Sequence, residues 1–308
     1  MCARFGIVAL LSVSLAACTE PRRRPTPPAS ADVAELWIHP GAVERRNLFY
    51  GSGGRTLAPV EGATYRITGV DSEGYSPGYD VVDATGRAWD VKLGPEAQAE
   101  VVVSRLFWAI GFHQPASYYV ASWRAQGPGA PADTGPARFL LTSDFVVEGT
   151  WDWYANPFVG SRPYRGLLVL NVLVNNWDLK RENNLVHRQL APRGGPRRRF
   201  VVQDLGATLG RTGRLARGTR NDLDGFRSEG FIVGAQDGGL QFDYEGKLAD
   251  LLARVTPADV VWTCRLLARL TDRQWDDAFR AAGYDPRTRG QFIAVLHAKM
   301  AQGLALRP

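Results

Sequence analysis

Little in this chain points to disulfide, metal or nucleic-acid chemistry. Three cysteines occur in 308 residues, and only Cys264 lies in sequence patterned for burial, with Trp262 and Leu266. This thiol reads as a buried structural group. Histidine is scarce too. His39, His113, His187 and His297 stand apart, none beside a nucleophile-elbow glycine pattern or a partner at metal-ligand spacing. That leaves no local Ser/His/Asp motif, and each reads as a surface or packing histidine. Zinc-finger spacing, an aromatic-glycine RNA-binding signature and a basic helix with heptads are all missing, so the net charge of +6 does not mark a nucleic-acid reader. Much of that excess sits in Arg22–Arg24 and Arg197–Arg199, short runs of the kind found in solvated loops.

What is present is an ordinary globular balance of 45% hydrophobic and 22% charged residues, enough for one large domain or two lobes sharing a cleft. The first 17 residues stand outside it. Arg4 supplies a sparse positive region, and Ile7 to Ala17 is an apolar run too short to span a bilayer as a stable helix. The run ends Leu15-Ala16-Ala17-Cys18, which resembles the lipobox of bacterial lipoproteins. The resemblance implies removal of residues 1–17, a diacylated Cys18 and a cell-envelope location, lipid-anchored on a periplasmic or external face. An ordinary cleaved signal peptide or an uncleaved anchor are the other patterns this stretch fits. Thr19 stands where that family's aspartate retention signal would be, which favours an outer membrane if the host has one. Residues 18–35 carry Pro21, Pro25, Pro27 and Pro28 with three arginines, a composition that reads as an extended tether. Folded sequence is expected from Leu36.

The chain's chemistry centres on Asn175-Asn176-Trp177-Asp178-Leu179-Lys180-Arg181-Glu182-Asn183-Asn184 and on Asp204-Leu205-Gly206. An aspartate, a lysine two residues on and an asparagine three further form one set. A short apolar run, Phe200 to Val202, then delivers an Asp-x-Gly. This order resembles the protein-kinase-like phosphotransferase superfamily, closer to its atypical and secreted branches, such as spore-coat and lipid-kinase-like enzymes. The resemblance implies a two-lobed α+β fold, an N-terminal antiparallel sheet plus one helix (36–145) and a mainly α-helical C-terminal lobe (146–308). It also implies ATP and Mg2+ as cofactors. In the roles it carries over, Asp178 orients an acceptor hydroxyl, Lys180 neutralises the transferred phosphoryl, and Asn183 with Asp204 holds the metal through oxygen.

The N-terminal half has the pattern such a lobe needs. Short β-prone runs occupy Tyr65 to Val70, Tyr79 to Val82 and Trp89 to Leu93. The loop 71–78, with Gly74, would be the phosphate lid, although the closely spaced glycine triplet of protein kinases is missing. Gly51-Ser52-Gly53-Gly54 comes too early and reads as a plain loop. Lys92 ends the third run, where the family keeps its phosphate-binding lysine, and Pro95 opens a helix to about Ile110. Glu100 is the expected partner of Lys92, with Glu96 as the other candidate because acids are favoured in a first turn. Further strands are expected at Ser117 to Trp123 and Ala137 to Phe145, and a hinge at Asp144 to Thr150. The aromatic cluster Trp151, Trp153, Tyr154 and Phe158 reads as lobe packing.

Beyond it, Arg165 to Val174 suits a buried helix leading into the catalytic loop, and Leu185 and Val186 a short strand. Residues 190–199 form a basic insertion expected as a hairpin tip, and 211–220 a substrate or activation-like loop. From Lys247 to Gln302 the pattern is helical, an all-α lobe. Two departures matter. Trp177 replaces the arginine that precedes the catalytic aspartate in protein kinases, and no Ala-Pro-Glu follows. Both point away from a peptide substrate. Three functions follow: a phosphotransferase acting on an unknown hydroxyl-bearing acceptor, a membrane-anchored kinase-like lipoprotein that binds a nucleotide, ligand or partner without catalysis, or an envelope structural lipoprotein with no nucleotide affinity. The second draws on the scarcity of ATP outside the cytoplasm.

Overall fold

The computed structural model describes residues 34–72, 75–190, 198–213, 218–236 and 239–307. The signal-like segment, Cys18 and Gly74 lie outside the described residues. The N-terminal half contains β1 (Ala34–Glu35), β2 (Thr64–Asp71), β3 (Gly78–Val82), β4 (Ala88–Leu93), α1 (Glu96–Ala109), β5 (Ser117–Val120), β6 (Arg124–Gln126) and β7 (Ala137–Leu141). All but β1 and α1 form a six-stranded sheet in the order β5-β7-β4-β3-β2-β6. β2, β3 and β4 are an antiparallel meander, and the short β6, which falls in a segment without β-pattern, adds to β2 in parallel.

Strand alternation gives this sheet two unlike faces. One buries Tyr65, Ile67, Val81, Trp89, Val91 and Phe139 in a separate apolar cluster, with Trp123 edge-on to Phe139 at 5.3 Å. The other carries Asp90, Lys92 and Arg138 toward α1 and the cleft. α1 is buried along nearly its whole length. It lies between the sheet and the helices below, so its apolar residues belong to the larger core.

The C-terminal half contains β8 (Phe145–Thr150), α2 (Arg162–Leu173), β9 (Asn184–Gln189), β10 (Arg198–Val202), α3 (Leu223–Ser228), β11 (Ile232–Gln236), β12 (Gly239–Phe242), α4 (Pro257–Leu267), α5 (Asp272–Arg280) and α6 (Pro286–Leu304). The chain is thus the two-lobed α+β protein expected. Ser161 caps α2 by accepting from the Tyr164 amide at 3.2 Å, starting the helix three residues before the expected Arg165. Capping boxes open α4 at Thr256 and α5 at Thr271, and Asp285 caps α6.

Several expectations are corrected. Residues 145–150 are not a free hinge. They form β8, antiparallel to β9, in a second sheet ordered β1-β10-β9-β8. β7 ends at Leu141, not Phe145. The C-terminal lobe is mainly helical but not all-α, since this sheet and the β11–β12 hairpin belong to it. β9 and β10 do make a hairpin, whose connecting residues 191–197 lie outside the described residues. Among the described residues, Ala34 and Glu35 already pair, β1 running parallel to β10. Leu248 opens a 3-10 turn rather than an α-helix, because its backbone is left-handed at φ 59°.

Candidate active site

β4 and β7 place Lys92 directly opposite Arg138. Like charges at a cross-strand pair repel, so carboxylates must lie between them. Glu100, one turn into α1, supplies the central one: its Oε1 is 3.0 Å from Arg138 Nε and its Oε2 is 3.4 Å from Lys92 Nζ. Asp90 Oδ2 lies 3.2 Å from Arg138 Nη1. Lys92 Nζ also donates to Asp204 Oδ1, from the far lobe. Of the two glutamates weighed, Glu100 faces Lys92. Glu96 instead accepts from Ser76 Oγ at 2.8 Å and pairs with Arg220 Nε at 2.6 Å.

Electrostatics follow from this packing. Burial works against the Lys92 charge, but the Glu100 and Asp204 carboxylates outweigh it and hold its pKa above the ordinary lysine value. Burial likewise works against Asp204 ionisation. Lys92 prevails and keeps the carboxyl below the usual aspartate range. Glu100 is raised by its complete burial, with Arg138 and Lys92 opposing.

The loop holding Asp178 leaves α2 through Asn175, a non-glycine residue at φ 55°. Asparagine tolerates that conformation, and here its side chain is saturated. Nδ2 donates to Gly210 O at 2.8 Å and Glu229 Oε2 at 2.9 Å, and Oδ1 accepts from Lys299 Nζ at 2.7 Å. Lys299, buried on α6, has its pKa pushed down to about 7 by that burial, with Glu229 and Asp243 opposing. Tyr244 Oη donates to the Asn176 carbonyl at 2.5 Å. The turn is therefore fixed from four directions before Asp178 is reached.

Asp178 is 9% exposed. Lys180 Nζ lies 3.4 Å from Oδ2, and Lys247 Nζ lies 2.5 Å from Oδ1. Asn183 closes the loop by donating its Nδ2 to the Asp178 carbonyl at 3.0 Å. Its amide oxygen remains as donor atom for a cation. Asp204 follows β10 at φ 55°, and Gly206 sits against Glu96, where a Cβ would come within 2.7 Å of the glutamate Cβ.

Lys92, Glu100, Asp178, Lys180, Asn183 and Asp204 all line one cleft of about 280 Å³ between the lobes. Among the described residues no three His, Cys, Asp or Glu side chains are grouped as a metal cage. One ionised carboxylate and one amide oxygen fit magnesium, which keeps waters and takes the rest of its shell from phosphate oxygens. Three further cations pair with carboxylates here: Arg138 and Arg220 in the cleft lining, and Lys247 through Asp178. Arg138 carried a signal, being the lone charge in the fully buried strand Ala137–Leu141. Arg220 and Lys247 carried none, since each reaches the cleft from an irregular segment.

No family model matches the chain, and no curated protein does. Among solved structures it is similar to the crystal structure of a Helicobacter pylori proinflammatory kinase, CtkA, with a TM-score of 0.46 and 9% identity. The match covers 78% of this chain and 97% of that one.

Proposed function

We propose that this protein is an ATP- and magnesium-dependent phosphotransferase of the atypical kinase-like kind. The observation that carries the reading is the ion-pair chain Arg138–Glu100–Lys92–Asp204, which joins the two lobes across the cleft that also holds Asp178, Lys180 and Asn183. Phosphoryl transfer needs positioning and charge neutralisation far more than covalent chemistry. Lys92, fixed by Glu100, binds nucleotide phosphates as a point charge. Asp204 and Asn183 would hold magnesium, which supplies charge neutralisation across the phosphates. Asp178 accepts a hydrogen bond from the acceptor hydroxyl and orients it in line, and Lys180 stands beside it to meet charge on the transferred group. Asp178→Asn should keep Mg·ATP affinity within about twofold while ATP turnover drops by roughly 10² or more. Turnover equal to the parent protein's would remove Asp178 from the chemistry.

A second reading draws on Lys247. Its ammonium occupies Asp178 Oδ1 at 2.5 Å, the oxygen an acceptor hydroxyl would approach. A domain that binds a nucleotide or partner without turnover would tolerate that pair. In either reading the domain is tethered to the cell envelope through a lipidated Cys18. Cys18→Ser should move the protein from the membrane to the soluble fraction, and retention on the membrane would end the tether proposal.

A further inference from the structure

The residue before Asp178 grips the segment that returns after Asp204. Trp177 Nε1 donates to the Thr219 carbonyl at 2.9 Å. Its ring lies so close to Gly218 that a Cβ there would stand 2.5 Å from Cε2. The Arg220 guanidinium stacks on the same indole at 4.5 Å. Trp177 is itself held from behind, its carbonyl accepting from the Lys247 amide at 2.9 Å.

Arg220 then crosses to the other lobe. Its Nε is 2.6 Å from Glu96 Oε1, and its guanidinium also covers the Tyr75 ring at 4.0 Å. The pair is largely sheltered, with side chains 18% and 6% exposed, so neither charge is replaced by solvent at little cost. Glu96 precedes Glu100 by four residues, one turn along the same face of α1. Its stem rests on Gly206, two residues after Asp204. One side chain therefore touches the Asp204 turn, the helix bearing the Lys92 partner and the segment clasped by Trp177.

In protein kinases an arginine precedes the catalytic aspartate, and activation loops are ordered when new arginine–phosphate pairs form. An indole cannot make such a pair. It offers an N–H for a carbonyl and a face for a cation, and both are already engaged by the unmodified chain. We infer that Trp177, Arg220 and Glu96 form a built-in strut that sets α1, and with it Glu100 and Lys92, in working register without phosphorylation of the loop after Asp204. Arg220, Glu96 and Trp177 are positioning residues in this scheme, which rests on the phosphotransferase reading of the cleft.

The test measures the full chain, phosphatase-treated and untreated, by Mg·ATP titration and by native-state hydrogen exchange without nucleotide. Glu96→Gln and Arg220→Ala should each weaken Mg·ATP at least tenfold, with the double variant no weaker than either single one. Arg220→Lys, which keeps the charge and loses the planar stack, should fall between. Phosphatase treatment should change nothing. In the nucleotide-free protein, Arg220→Ala should speed exchange of α1 amides at least tenfold while α4 and α6 stay as they were. Unchanged α1 exchange would overturn the strut, as would multiplicative losses in the double variant, tighter nucleotide binding by Arg220→Ala, or loss of binding on phosphatase treatment. Faster α1 exchange with no nucleotide binding by the parent protein would leave the strut standing and remove the phosphotransferase reading instead.

Discussion

Arg138 shows how much the cleft depends on paired charge. It is 2% exposed, lies opposite another cation on the neighbouring strand, and is bracketed by Glu100 and Asp90. Removing one member of a buried pair leaves its partner uncompensated, which costs more than the pair itself contributes. Arg138→Met should therefore lower unfolding free energy by roughly 3 kcal/mol, read by urea denaturation without ligand. A loss under about 1 kcal/mol would class Arg138 as a spectator. At this scale the sequence was informative wherever spacing carries chemistry. The offsets among Asp178, Lys180 and Asn183, the strand-end Lys92 and the helix-borne Glu100 all led to residues that meet in one cleft. Lys247 and Arg220 were illegible for a physical reason: each sits in an irregular loop, brought to the cleft by tertiary packing that leaves no period in the sequence.

Among elements, the instructive one is β8. Its burial is slight, five of six residues being exposed, so its sequence shows no buried face to read. What makes it a strand is pairing with β9, some forty residues on, and that pairing turns an expected hinge into a sheet edge at the lobe junction. The same junction explains two histidines. His187 on β9 stacks on Phe145 of β8 at 3.8 Å, and burial pushes it down to about 4. His113, buried nearby, is pushed down to about 3. Both are neutral in the folded protein, whereas an unfolded histidine titrates near 6.5, roughly the ordinary value. Their contribution to stability is complete above that value and is lost as pH falls through it toward the folded values, because the unfolded chain then binds more protons. His187→Gln should flatten the fall in unfolding free energy between about pH 7 and 4.5 by roughly 2 kcal/mol. An identical slope in the variant and the parent would show that His187 is not buried neutral.

The whole molecule is less cleanly divided than its two-lobe outline suggests. Val43 and Leu48, from the stretch before the first sheet, share the large core with α1, α2 and α5. Gln274 of α5 donates to the carbonyls of Val43 and Arg46 at 2.9 and 2.8 Å. Nothing in the pattern of residues 36–60 foretold that strap, since it lacks regular period and its hydrogen bonds go to distant backbone. α1 is the shared wall of both lobes, and the cleft chemistry hangs on its position. Nucleotide binding at the cleft is tested most directly by the thermal midpoint of the protein with ATP, with and without magnesium, in the parent and in Asp204→Ala. Ligand that binds only the folded state must raise the midpoint by mass action, here by roughly 5 °C near a hundredfold excess over Kd. A magnesium-dependent rise, each protein read against its own ligand-free midpoint, that disappears in Asp204→Ala is the expected result. No rise at millimolar ATP with magnesium, or an equal rise in the variant, would rule out a magnesium–nucleotide site built on Asp204.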